Sequence, residues 1–289
     1  MANHAWVWSV LLYVFHALVI MIPEPILAAH SRRRVVFRKY VEPRYDRSIT
    51  TFTEDGRLAQ VEYGMEASLR GSTIAAVVTS QGIIFWIAHS SWAKVYRLDH
   101  HLWLITAGLS GDARALATML QRACQQIRMQ YGEAATTEEV AKLAGQAQHE
   151  LTRTGGARPL GCTAIVVGID PPSMETDETT GAPILGIPRL YETDPGGIVE
   201  DCTYCVAGKG RSSLGKVLAP LVDALVSSSK SLFDVAAVIT KIFLKEVDDT
   251  GKLPVDVWII QPHAMKRGGS LATCYRNITR ETIPNVWDQ

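Results

Sequence analysis

The sequence predicts a layered α+β domain, on two observations. Apolar β-branched runs and helical stripes come in separate blocks, in the order strands, two helices, strands, two helices, strands. Blocks segregated in this way point to helices laid on antiparallel sheets, not to a doubly wound parallel sheet. Composition supplies the second observation. Hydrophobic residues make up 47% and charged residues 20% of the 289 residues, which suits a large buried core and excludes wholesale disorder. Two strand blocks and two helix pairs satisfy every apolar face if the sheets pack on each other with the helices outside.

Each element has its own signal. Residues 58–70 read as a short helix stopped by Gly71. Residues 72–78 and 83–88 are apolar strands separated by Ser80, Gln81 and Gly82, a hairpin pattern. Residues 102–107 form another strand. After Gly111 a long helix repeats Leu116, Leu120, Cys124, Ile127 and Tyr131 at helical spacing, and Gly132 ends it. Thr136 and Glu139 make a capping-box pattern for the next helix, whose stripe is Val140, Leu143, Ala147 and Leu151. Strands are expected at 163–169, 189–192 and 203–207, helices at 213–225 and 232–247, and the last strands at 255–260 and 271–275. Residues 171–186 are acidic, rich in Pro and Thr and without periodicity, so they read as an exposed loop.

Charge and cysteine content narrow the function classes. Lys and Arg number 29, Asp and Glu number 29, and the formal net charge is +0. No basic excess draws the chain onto nucleic acid, and near-neutrality favours association. The five cysteines are an odd number, which excludes a fully paired disulfide framework and fits a reducing compartment.

Residues 5–22 carry no charge and are polar only at Ser9 and His16, followed by Pro23, Pro25 and the basic cluster Arg32, Arg33, Arg34, Arg38 and Lys39. This fits a marginal membrane anchor or a targeting segment, although no Lys or Arg precedes the apolar run. A third reading is an extension absent from the working protein. The expected organisation is an extension over residues 1–40 and a domain over 41–289.

Four small motifs carry weak chemistry. Cys202 and Cys205 form a CxxC without a second pair, and on a continuous strand they would point to opposite faces, which suits two ordinary thiols. Gly208, Gly210 and Gly215 lie between a strand and a helix but lack the full phosphate-binding pattern, so a tight turn is expected. His100 and His101 read as turn residues, and Asn277, Ile278 and Thr279 form a glycosylation triplet that matters only in a secretory path. No metal or cofactor is expected.

One stretch is far more specific. It runs Tyr45, Asp46, Arg47, Ser48, Ile49, Thr50, Thr51, Phe52, then Asp55, Gly56, Arg57, Leu58, then Gln60, Val61, Glu62, Tyr63, then Glu66, Ala67, then Gly71, Ser72, Thr73. This resembles the N-terminal signature of proteasome α subunits. Residues 155–161 (GGARPLG) and 190–197 (LYETDPGG) resemble two further segments of that family, and the likeness runs from about Tyr45 to the C-terminus.

The resemblance implies a four-layer αββα sandwich of the Ntn-hydrolase-like kind. It also implies a non-catalytic place in the seven-membered outer ring of the 20S core. The implied partners are other α subunits, β subunits and activators or the regulatory particle. The implied process is ubiquitin-dependent and other intracellular protein degradation in cytoplasm and nucleus. The related β subunits use an N-terminal Thr nucleophile exposed by cleavage after Gly. Here Thr73 falls near that position but follows Ser72, the family's Asp falls at His89, and Lys94 aligns with its Lys. An active β-type peptidase and a membrane-anchored α-like protein are the alternatives.

The family's gate cluster matches Tyr45, Asp46, Arg47 and Tyr63, while Glu54 stands where the family usually has Pro. Its activator pocket matches Leu58, Gly71, Lys94 and Leu109, with Lys94 pairing the carboxylate of an activator tail. The connection from Gly82 to Lys94 is shorter than the family's, which threatens that pocket. The helix over 112–131 is the expected contact with the β ring, and 171–186 is an exterior insertion. An apolar segment at the pore mouth would plug or tether the particle, which favours the reading of residues 1–40 as absent from it.

Overall fold

The computed structural model describes residues 48–88, 94–170, 186–226, 231–247, 255–262 and 274–278, all within the compact unit Arg44–Gln289. The apolar run 5–22, Tyr45, Asp46, Arg47, His89 and most of the 171–186 loop lie outside the described residues.

Helix α1 (Ala59–Leu69) leads into the hairpin β1 (Ile74–Thr79) and β2 (Gly82–Ala88). Strands β3 (Val95–Arg97) and β4 (Leu102–Gly108) precede the helix pair α2 (Ser110–Tyr131) and α3 (Thr137–Arg153). Strands β5 (Cys162–Asp170), β6 (Ile187–Thr193), β7 (Val199–Asp201) and β8 (Tyr204–Ala207) follow, then helices α4 (Arg211–Val226) and α5 (Leu232–Val247), then β9 (Val255–Gln261) and β10 (Cys274–Ile278). One five-stranded sheet has the order β10-β9-β2-β1-β8 and the other β3-β4-β5-β6-β7. Every pair is antiparallel.

The near-continuous apolar runs of β1 and β2 have a physical reason: both faces of their sheet are covered. Ile74, Ala76, Ile83, Phe85 and Ile87 meet Trp103, Ile105, Ile165 and Val167 of the second sheet, while Ala75, Val77, Ile84 and Trp86 meet Leu214, Leu218, Ile239 and Phe243 of α4 and α5. Trp86 is fully buried, and its Nε1 donates to Thr240 Oγ1 at 2.8 Å, so its polar atom is satisfied in the core. Helices α2 and α3 cover the outer face of the second sheet through β4, β5 and β6. The layers are therefore helix, sheet, sheet, helix.

The end signals of α2 and α3 act as expected. Gly132 takes φ +75°, the left-handed conformation that ends α2, and its N–H donates to Arg128 O. Thr136 and Glu139 form a reciprocal capping box at α3. Two strands had no sequence signal: β3 and β7 have three residues each, too few for a period to register. The last strand lies at Cys274–Ile278 rather than at 271–275. Its place is set by pairing with β9, from Cys274↔Gln261 to Ile278↔Val257, and not by its own pattern.

Candidate functional site

Thr73 stands at the head of β1, where a nucleophile would have to be free. It is buried, and its Oγ1 accepts the N–H of Gly210 at 3.0 Å. Gly210 immediately precedes α4, and its carbonyl takes the first helical bond, from Leu214 N–H. The Thr73 hydroxyl thus satisfies one of the orphan donors at a helix N-terminus. Two more donors of that turn are also taken, since Lys209 N–H donates to Gly71 O and Arg211 N–H to Gly208 O. The Gly208–Gly210 segment is a closed strand-to-helix turn, not a phosphate cradle. Thr73 follows Ser72 and α1 in the chain, so a free amine beside the hydroxyl would require cleavage of the Ser72–Thr73 bond.

The neighbouring group is built around Gly108. Lys94 Nζ donates to the Gly108 carbonyl at 3.1 Å, and Thr106 N–H donates back to Lys94 O at 3.0 Å. Lys94 is buried at 8% exposure, so its ammonium is withdrawn from solvent. Burial pulls its ammonium below the ordinary lysine value, against a smaller opposing effect of Cys162. A Cβ on Gly71 would lie 2.2 Å from Gly108 N, and one on Gly108 would lie 2.2 Å from Gly161 O. Gly108 also has φ +120°, a conformation side chains rarely adopt. Three backbone segments therefore stack with no room for a methyl group. Leu109 follows, half exposed, with Cδ1 over Gly161.

The structure brings Gly71, Lys94 and Leu109 together. Leu58 stands instead at the N-cap of α1, about 16 Å of helix from the Gly71 end of the same protomer. Tyr63 lies exposed on α1; Tyr45, Asp46 and Arg47, expected with it in a gate cluster, fall outside the described residues.

Asp112, in the first turn of α2, fixes the loop that carries Gly161. Arg158 donates to both carboxylate oxygens, at 2.7 and 2.8 Å, and Gly161 N–H donates to Oδ2 at 2.9 Å. Burial alone would raise this carboxyl, but those bonds and the Arg158 charge hold it below the usual range. Sequence reasoning places Asp112 and Arg158 in separate motifs. Opposite charges 46 residues apart carry no local signal of contact.

The two CxxC thiols correct the expectation that they face opposite ways. Both pack on the core between the sheets, and both lie beside Glu192. The chain bends at Thr203 between β7 and β8, so strand alternation does not apply across the motif. Cys205 Sγ donates to Glu192 Oε2 at 3.2 Å, and Arg211 pairs with Oε1 at 2.7 Å. Burial pushes Cys202 up to about 11, Cys205 well above the ordinary thiol, and Glu192 above the ordinary carboxyl. Thiols held neutral in this way are poor nucleophiles and poor ligands. Among the described residues no group of three or more His, Cys, Asp or Glu side chains is placed to hold a metal ion. His101 is buried with Nε2 on Ala135 O at 2.9 Å, and His100 sits exposed in the same turn.

Fold and site together define an Ntn-hydrolase-like sandwich whose nucleophile position is occupied by a structural threonine. The model of the proteasome subunit family matches residues 69–254, and that of the N-terminal signature of A-type proteasome subunits matches residues 45–67. The chain belongs to the proteasome subunit family, and within it to the α type, the non-catalytic kind. It is 32% identical to the proteasome α subunit of Methanococcus vannielii over 235 residues, covering 75% of this chain and 85% of that one. It is 33% identical to that of Archaeoglobus fulgidus over 179 residues (59% and 67%). Against the type-7 proteasome α subunit of Dictyostelium discoideum it is 33% identical over 184 residues (61% and 68%). No helix among the described residues is long and apolar enough to cross a membrane.

Proposed function

We propose that this chain takes a place in the seven-membered outer ring of a proteasome core, stacked on a ring of β subunits. There it helps gate substrate entry and receives activators, serving ubiquitin-dependent and other intracellular protein degradation in cytoplasm and nucleus. The observation that supports this most is the convergence of Gly71, Lys94 and Leu109 around Gly108. A buried ammonium bonded to one carbonyl is suited to a carboxylate arriving from outside, such as the C-terminus of an activator tail. The close glycine stacking beneath it keeps the pocket floor in one position. Leu58 enters such a pocket only across a boundary between ring neighbours.

The gate reading rests on Tyr63, exposed on α1, with Tyr45, Asp46 and Arg47 as its companions. The outward face of α2 is the surface assigned to the β ring. The test is activator-stimulated peptide hydrolysis by assembled particles carrying Lys94→Ala. Stimulation falls while ring assembly and basal hydrolysis persist; unchanged stimulation overturns the docking role.

A further inference from the structure

Helix α2 differs from its neighbours in how its surface charge is met. On α1, Glu62 and Glu66 pair with Arg57 and Arg70. On α3, Lys142 pairs with Glu138 and Arg153 with Glu150. Helix α2 holds no Lys and no Glu, and its one acid, Asp112, is taken by Arg158. Of its three arginines, Arg128 pairs with Asp99 at 2.6 Å. Arg114 and Arg122 are exposed, and no carboxylate among the described residues pairs with either. The charge of Arg114 reaches the Tyr96 hydroxyl on β3. At 3.6 residues per turn, the exposed Arg114, Thr118, Arg122, Gln125 and Met129 share an arc of about 80° and run about 22 Å along the helix. Met129 is 87% exposed, and Tyr131, at the end of the helix, is 52% exposed.

A helix face left in water ordinarily carries Lys and Glu, paired three or four residues apart. This face has neither, and presents Arg, Gln, Met and Tyr instead. Arg, Met and aromatic residues are enriched where proteins meet, while Lys, Glu and Asp are depleted there. Two guanidiniums about 12 Å apart, each with its fork of donors free, match carboxylates brought from outside the chain. We propose that α2 binds the β-type subunit it faces through partner carboxylates set against Arg114 and Arg122, with Met129 buried in an apolar recess beside them. The inference rests on the reading given above, that this face meets the β ring, and adds the chemistry of the surface opposite. The face does not suit a second copy of itself, because that would set arginine against arginine.

The experiment is a competition for places in the particle. Wild-type chain and an Arg114→Glu, Arg122→Glu variant are expressed together in the chain's own source. Mass spectrometry reads their ratio in stacked particles captured through a β-type subunit, against their ratio in the unassembled pool. The inference expects the variant to be depleted about tenfold in the stacked particles. The Arg114→Gln, Arg122→Gln pair adds no charge and is depleted less, with the same sign; it carries the test if the Glu pair is lost from the pool. A photo-crosslinker at Thr118 identifies the neighbour in the same particles, and the inference expects a β-type subunit. Crosslinks to a β-type subunit together with equal ratios for the variants overturn the charge pairing and leave the reading of the face standing. Crosslinks confined to other chains overturn the reading of the face and the inference with it.

Discussion

Replacing Asp112 by Ala removes three hydrogen bonds at once, and their surroundings decide which one matters most. The ion pair with Arg158 is half on the surface, since the Arg158 side chain is 62% exposed. A pair so exposed contributes at most about 1 kcal/mol. Gly161 N–H is different. It is buried, Asp112 Oδ2 is its acceptor, and an orphaned buried amide costs about 1–3 kcal/mol. A carboxylate in the first turn of α2 adds a few tenths through the helix dipole. The sum is about 3 kcal/mol, or a fall in Tm of about 6–12 °C for a domain of this size. Thermal unfolding at fixed protein concentration reads it, because assembly shifts the apparent midpoint. Asp112→Asn keeps an oxygen for Gly161 and loses the charge, so it costs about 1 kcal/mol, roughly a third of the alanine effect. If asparagine costs as much as alanine, the ion pair carries the stability and the reasoning about Gly161 is wrong. If both cost under about 0.5 kcal/mol, the loop is not held by this residue at all.

Other predictions follow from neighbouring contacts. Thr73→Val keeps the shape, removes the acceptor for Gly210 N–H, and lowers stability by about 1–3 kcal/mol; Thr73→Ser stays near wild type, and peptidase activity per assembled particle is unchanged in both. Gly108→Ala places a methyl group against Gly161 O at φ +120°, so soluble yield and ring assembly fall sharply, as native gels would show. Glu192 is raised by burial, with Arg211 opposing, so its protonated form favours the fold below pH 4.5 and that contribution is lost as pH rises through its folded value. Chemical denaturation of Glu192→Gln beside wild type should therefore move in favour of the variant as pH rises above 4.5; a constant difference sinks this account.

The α+β layering was legible because each strand of the first hairpin is apolar on both faces and each long helix has a clean stripe. Caps at Gly132, Thr136 and Glu139 were legible because they are local chemistry. β3 and β7 were not, since such short strands are paired by their neighbours and not by a pattern of their own. For the same reason β10 begins later than its residues suggest. Gly71, Lys94 and Leu109 entered through a family likeness, and their meeting point, Gly108, had no signal of its own. A glycine needed for backbone contact looks like any other until the opposing backbone is known. The pairing of Asp112 with Arg158 and the shared side of Cys202 and Cys205 were hidden because they depend on how separate segments fold back, which no local period records.

The central claim is that this α-type chain works inside a stacked ring without supplying a nucleophile. Native mass spectrometry of particles isolated from the chain's own source, with subunit release, tests it most directly. The account predicts a stacked-ring mass in which this chain is found with β-type subunits and retains the α1 residues ahead of Thr73. A chain recovered alone, or one whose mature form begins at Thr73, would contradict it.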